Sequence, residues 1–194
     1  MRKHTELNYN SIQEKLANIL KTTKDLDADA AVVVLLRAID HDFEVLFVKR
    51  AKKPTDPWSG QTALPGGKRN PEDQNMKQTV IRETLEETCI NLLEGCRFLG
   101  AMESVRSIQR PEMKIVPFVV LQEKKQKIEL NDELTGYFWT SLKGLVHCRR
   151  TIKFKLEEFP AFSIGNQVIW GLTYRIMYNL LSILSAFNSN RNAS

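Results

Sequence analysis

Residues 30–36 read Ala-Ala-Val-Val-Val-Leu-Leu, seven apolar positions with no polar residue among them. A half-exposed strand alternates apolar and polar residues, so an unbroken apolar run of this length, with β-branched Val32, Val33 and Val34 at its centre, reads as a buried strand. Phe43-Glu44-Val45-Leu46-Phe47-Val48 follows after the polar Asp40-His41-Asp42, which predicts a hairpin of buried strands. Further strands are expected at 97–105, 115–122, 127–130, 137–140 and 152–156. Helical spacing of Ile12, Leu16, Ile19 and Leu20 predicts an amphipathic helix over 8–22, and a second helix is expected over 73–88. A third is expected over 167–186, where Val168, Leu172, Ile176, Leu180 and Leu184 recur every four residues. Strands interleaved with helices indicate an α/β domain with a mixed sheet. Trp139 and Trp170 read as core residues.

At 194 residues the chain is sized for one domain, and with 42% hydrophobic and 26% charged residues it lies outside the disordered regime. The longest apolar stretch is broken by Asn166, Gln167, Arg175 and Asn179, so no membrane span is expected. The first 20 residues lack the apolar core of a secretory signal, and a cytoplasmic location is expected. Cys89, Cys96 and Cys148 form no CxxC pair and read as reduced, small apolar residues. The net charge of +5 comes in short basic clusters, which favours anionic partners. No aromatic-interleaved basic module is present, so nucleic acid is not the expected partner. His4, His41 and His147 are scattered and take no role, leaving a His-based hydrolase or zinc site without support.

The stretch richest in chemistry begins at Pro65-Gly66-Gly67 and continues into Arg82-Glu83-Thr84-Leu85-Glu86-Glu87. At about 100° per residue, Glu83, Glu86 and Glu87 are expected to share one helical face, with Val80, Ile81, Thr84, Leu85 and Thr88 opposite. Like charges at i,i+4 repel, and only Arg82 and Lys77 are near enough to compensate. A hard divalent cation would neutralise them, since Mg²⁺ and Mn²⁺ take oxygen ligands and are commonly shared between carboxylates and substrate phosphates. The plainer alternative is a solvated acidic face. The preceding glycines weigh against it, because the missing side chains let backbone approach a ligand or metal. The turn-rich segment 51–67 is long for a compact domain, as functional loops often are.

Gly67, Asp73 and Arg82-Glu83-x-x-Glu86-Glu87-x-Cys89-Ile90 resemble the Nudix box, G-x5-E-x7-R-E-U-x-E-E-x-G-U. Asp73 stands in for the first Glu, one extra residue precedes Arg82, and Thr84 and Cys89 replace an apolar residue and a Gly. A left-handed Cys89 would cost of order 1 kcal/mol, unless the turn there differs. The resemblance covers most of residues 30–186. Residues 64–73 and Ile169-Trp170-Gly171-Leu172-Thr173 are similar to the coenzyme A diphosphatase-like branch. That branch carries a second Arg after Arg50, where this chain has Asp56-Pro57-Trp58-Ser59-Gly60-Gln61.

The resemblance implies a Nudix fold, with a mixed sheet between helices in an α/β/α arrangement. Apolar spacing and the polar end of the chain further give a helical extension over 1–27 and a disordered tail over 188–194 as expectations, with the hydrolase domain over 28–187 between them. The implied reaction is metal-dependent hydrolysis of a nucleoside diphosphate linked to another group, X, with coenzyme A or its derivatives as leading substrates. ADP-ribose, NADH or another nucleotide stands as the alternative, and a non-catalytic nucleotide- or RNA-binding domain as a third. Glu83, Glu86 and Glu87 are the implied ligands of Mg²⁺ or Mn²⁺, the Gly67 carbonyl completes the shell, and Arg82 orients a carboxylate. Asp73 either ligates through water or caps the helix start. The general base is a box glutamate or Glu133, with Glu103 and Glu112 as further candidates. Arg50, Lys68, Arg69 and Arg106 are candidates for phosphate, joined by Arg110, and Trp58 for stacking on a base or stiffening a lid. A homodimer built partly on the N-terminal helix stays open beside packing of that helix on its own domain.

Overall fold

β1 (Ala30–Ile39) is the strand on which the others are registered. The computed structural model describes residues 16, 20, 27–40, 42–54, 58–154 and 156–189. In chain order β1 is followed by β2 (Asp42–Arg50), β3 (Thr62–Ala63), β4 (Gly66–Lys68), α1 (Met76–Thr88), β5 (Cys96–Ala101), β6 (Val105–Arg106) and β7 (Lys114–Gln122). Then come β8 (Leu134–Ser141), α2 (Leu142–His147), β9 (Arg149–Phe154), β10 (Glu157–Ile164), β11 (Gln167–Trp170) and α3 (Gly171–Ser189).

β1 pairs antiparallel with β2 through its C-terminal half and with β4 through its N-terminal end, where Ala31 faces Gly67. Along its other edge it runs parallel to β7, from Ala30 opposite Ile115 to Arg37 opposite Gln122. The sheet is therefore mixed, as expected. Its alternation explains the unbroken apolar run. Ala31, Val33 and Leu35 point to one layer with Met76 and Val80 of α1. Val34 and Leu36 point to the other with Ile176, Met177 and Leu180 of α3. Both faces are covered, in the α/β/α order. Leu16 and Leu20 are buried in the α3 layer, with the Leu20 amide donating to the Leu16 carbonyl at 2.9 Å. The rest of the helix expected at 8–22 lies outside the described residues, as do His41, Asp56, Pro57 and residues 190–194.

Several boundaries differ from expectation. Residues 167–170 open no helix: they form β11, which pairs with β10 through a tight turn carrying Gly165 at φ 55°. β9, β10 and β11 make a separate three-stranded sheet, and β10 was not expected from sequence. Val168, Ile169 and Trp170 suit a strand as well as a helix, and the pairing decides between them. The strand expected over 97–105 is divided into β5 and β6, both paired with β7. Residues 127–130 are irregular. The Glu129 amide donates to the Thr88 carbonyl at 3.0 Å and that of Asn131 to the Glu87 carbonyl at 3.2 Å, so this segment satisfies the C-terminus of α1.

Candidate active site

α1 starts one residue after Asn75, whose side chain accepts from the Gln78 amide at 3.0 Å, later than the expected start at Asp73. It ends at Cys89, which takes the left-handed conformation at φ 58° and donates its amide to the Leu85 carbonyl. The turn that suits glycine is thus retained with a cysteine in it, at a cost of about 1 kcal/mol.

The three box glutamates do not share one solvated face. Glu87 is only 4% exposed, whereas Glu86 and Leu85 are exposed. At about 100° per residue Glu87 lies some 20° from Val80, so it belongs to the face that packs on the sheet. Its carboxylate accepts the Gly66 amide at 2.9 Å. Burial pushes this carboxyl up to about 7; the Gly66 hydrogen bond opposes that, as does the charge of Arg50, while Glu83 and Glu133 add to it. Half-buried Glu83 is also raised, chiefly by burial, with Arg82 opposing.

Arg82 binds the helix to the preceding loop. Its guanidinium donates to both carboxylate oxygens of Asp73 at 3.2 and 3.0 Å, to the Lys68 carbonyl at 3.1 Å, to Glu83 at 2.9 Å and to Glu86 at 3.2 Å. Asp73 is buried and also accepts from the Asn70 amide at 2.8 Å and the Thr79 hydroxyl at 2.9 Å. The Arg82 hydrogen bonds hold its carboxyl at about 2. Asp73 is therefore engaged with Arg82 and the loop, and the cap belongs to Asn75.

The glycines are fixed by what lies against them. A Cβ on Gly67 would sit 2.2 Å from Glu83 Oε2, so glycine here lets the strand lie directly on that carboxylate. A Cβ on Gly66 would meet the Ala31 carbonyl oxygen at 2.2 Å, and φ of 137° is itself a glycine conformation. Both line a cavity of about 300 Å³ together with Glu83, Glu87, Glu133, Arg50, Lys68 and Trp58. The loop bearing Glu133 is joined to the end of β2 by the Ala51 amide, which donates to the Glu133 carbonyl at 2.8 Å. Lys53 Nζ stands 3.6 Å from Glu133 Oε1.

Arg69 and Arg106 lie outside that lining. The Arg69 guanidinium donates to the Asp73 carbonyl at 3.1 and 3.3 Å, and that of Arg106 to the Pro111 carbonyl at 3.1 Å. Glu86, Glu103 and Glu112 are exposed and also outside it. Arg110 lies over the Trp58 ring, 5.2 Å from its centroid. The cavity also recruits residues that sequence reasoning did not single out as site residues: Thr62, Ser107, Met113, Thr173 and Ile176. The Thr62 hydroxyl is buried without a hydrogen-bond partner. The four-residue repeat of α3 could have flagged Ile176 as apolar, but not that this turn fronts the cavity.

The donors suit a hard cation. Glu83 and Glu87 present carboxylate oxygens to one cavity, and burial disfavours charge on both in the absence of a counter-ion. Among the described residues no group of three or more His, Cys, Asp and Glu is placed to hold an ion by itself, and Arg82 engages both Glu83 and Glu86. The fit is to an ion shared between two carboxylates and bound oxygens.

A family model described as a NUDIX domain matches residues 27–161. Mitochondrial coenzyme A diphosphatase NUDT8 of Mus musculus is 27% identical over 184 residues, covering 89% of this chain and 86% of its own length. An uncharacterized Schizosaccharomyces pombe protein is 48% identical over 60 residues, which is 30% of this chain but only 18% of that protein. Among solved structures, a C. elegans Ap4A hydrolase binary complex matches with a TM-score of 0.56 at 19% identity, covering 84% of this chain and 99% of the other. That likeness is one of fold.

Proposed function

Because this chain belongs to the Nudix hydrolase family, we propose that its cavity hydrolyses the diphosphate of a nucleoside diphosphate linked to X, using Mg²⁺ or Mn²⁺, with coenzyme A or a derivative as substrate. The observation that carries the reading is the meeting of Glu83 and Glu87 with the side-chain-free Gly66-Gly67 wall, beside Arg50 and Lys68. The likeness to a coenzyme A diphosphatase supports the choice of X.

In this reading Glu83 and Glu87 hold the metal with the Gly67 carbonyl, and Glu86 joins them if Arg82 releases it. The ion, when bound, neutralises the diphosphate and lowers the pKa of a bound water. Arg50 and Lys68 bind the phosphate oxygens through charge-assisted hydrogen bonds. Glu133 takes the proton of the attacking water on its carboxylate, with Lys53 paired to Oε1. Water adds to one phosphorus, the bridging P–O bond breaks, and two phosphate monoesters leave.

No helix among the described residues is long and apolar enough to cross a membrane. A cytoplasmic location and the extension over 1–27 are part of the proposal; the tail expected from 188 is part of it only beyond Ser189, because α3 runs through residues 188 and 189. The mouse relative is mitochondrial by name, and cell fractionation decides between the compartments. Function is tested by assaying coenzyme A, ADP-ribose, NADH, diadenosine polyphosphates and nucleoside triphosphates with each metal, resolving products by mass. Release of 4′-phosphopantetheine and 3′,5′-ADP, at a kcat/KM well above the other compounds, supports the reading. Preference for another compound reassigns X, and no hydrolysis of any of them removes the reading in favour of a binding domain.

A further inference from the structure

The Trp58 side chain borders two spaces. It lines the catalytic cavity and, with Gln61, Ser107 and Leu172, a second hollow of about 500 Å³ that adjoins it. Trp170 is half-buried in the wall of that hollow, contrary to the core position expected from sequence. Trp58 thus forms part of the partition between the two, on the segment that joins β2 to β3. Its backbone is tied down on the β3 side: the Gln61 amide donates to the Trp58 carbonyl at 3.1 Å, and the Arg50 amide to the Gln61 carbonyl at 3.0 Å. Those bonds fix the main chain and leave the place of the indole to its side-chain contacts.

The exposed Arg110 places its guanidinium over that indole, 5.2 Å from the ring centroid. Arg110 sits in the turn between β6 and β7, and the turn is braced. The Ser107 amide donates to the Met113 carbonyl at 3.1 Å and the Met113 amide to the Arg110 carbonyl at 2.9 Å, while the Arg110 amide donates to the buried Ser107 hydroxyl at 3.2 Å. The Arg106 guanidinium donates to the Pro111 carbonyl at 3.1 Å, and Arg175 of α3 donates to the Arg106 carbonyl at 2.9 Å, which ties the turn to the helix. A cation on a fixed turn therefore faces a ring on the connecting segment. A guanidinium within about 6 Å of an indole centroid is attracted by the ring quadrupole, and at an exposed site this amounts to about two- to fivefold in an equilibrium. We propose that Arg110 is a positioning residue, which holds the Trp58 ring as a wall of the catalytic cavity so that the part of the substrate beyond its diphosphate meets a surface already ordered. A side chain ordered in advance loses no freedom when substrate arrives, so the contact is expressed in KM. Arg110 thus acts through Trp58, whereas Arg50 and Lys68 act on phosphate. This rests on the reading of the cavity given above.

The test is a double-mutant cycle on the full chain with Mg²⁺ and the best substrate of the panel. Arg110→Ala leaves in place the backbone groups and the Ser107 hydroxyl that close its turn. It is expected to raise KM about three- to fivefold, with kcat within about twofold of wild type. In a Trp58→Leu background the same substitution changes KM less than about 1.5-fold, because the ring through which it acts is gone. An unchanged KM in Arg110→Ala overturns the proposal. An equal rise in KM with and without the Trp58 ring also overturns it and places the guanidinium on the substrate. A fall in kcat at constant KM overturns it as well, by placing Arg110 among the reacting groups. The contact is read a second time without substrate: acrylamide quenches the Trp emission of Arg110→Ala with a higher quenching constant than wild type, and the difference is absent in the Trp58→Leu background. If no compound is hydrolysed, the reading of the cavity fails, and this quenching alone judges the contact. Equal quenching of wild type and Arg110→Ala then overturns the proposal.

Discussion

The Gly66 amide donates to Glu87 Oε2 across 2.9 Å, joining a buried carboxylate of α1 to the backbone of β4. One hydrogen bond does not offset taking a carboxylate out of water, so the carboxyl rises to about 7. Unfolded, it titrates at about 4.5. The folded chain therefore holds the proton more tightly. Stability falls as pH rises from about 4.5 to 7, and the full penalty applies above that range.

Glu87→Gln removes this penalty while still accepting the Gly66 amide. Metal-free Glu87→Gln is expected to be more stable than wild type at pH 8 by roughly 1–3 kcal/mol, a few degrees in Tm, with the gap closing by about pH 4. Thermal melts at both pH values check this. Equal Tm values at pH 8 would show that the carboxylate is not strained by burial.

The two glycines separate fold from chemistry. Gly66→Ala drives a Cβ into the Ala31 carbonyl, a backbone atom that cannot step aside, and should cost about 2–3 kcal/mol of stability. Gly67→Ala meets the Glu83 carboxylate, which can swing away. Its expected signature is a melting temperature near wild type with activity lower by a hundredfold or more. A Gly67→Ala enzyme with wild-type turnover would remove the close approach from the account.

Asp73→Asn tests the loop anchor. The Asp73 carboxyl titrates at about 2 in the folded chain against about 3.8 unfolded, so its contribution is complete above pH 4 and fades as pH falls through 2. Allowing for screening, the variant should lose of order 1–2 kcal/mol at pH 7, and less as the pH approaches 2. Urea titrations across that range report it. A pH-independent deficit would mean that the carboxylate charge is immaterial.

Arg50 and Lys68 line the cavity, while Arg69 is spent on the Asp73 and Gln74 carbonyls. Arg50→Ala and Lys68→Ala should each raise KM about tenfold or more, and Arg69→Ala should change it less than about threefold. Steady-state kinetics on the preferred substrate decide. A large KM effect for Arg69→Ala would place that guanidinium on the substrate.

The buried sheet was legible because residues 30–36 admit no exposed face, and the site because glycines and glutamates adjoin in sequence. The rank of the glutamates was not. Whether Glu87 or Leu85 enters the core depends on how α1 is rotated against β1 and β7, and a glutamate in an apolar position looks like surface. Residues 167–170 were misread because their apolar spacing fits both helix and strand, and the partner that decides, β10, is not announced by period. Residues 127–130 look like a strand, yet the Glu129 amide, like that of Asn131 just beyond, is drawn to the end of α1.

In the proposed reaction Glu83 and Glu87 together hold the metal ion of a diphosphatase. That assignment is tested most directly by the turnover of Glu87→Gln at saturating Mg²⁺ or Mn²⁺ on the best substrate, with the fold verified by circular dichroism. The expected result is a fall of at least about a hundredfold in kcat in a folded and, when metal-free, stabilised protein. Turnover near wild type would contradict the ligand assignment and the account built on it.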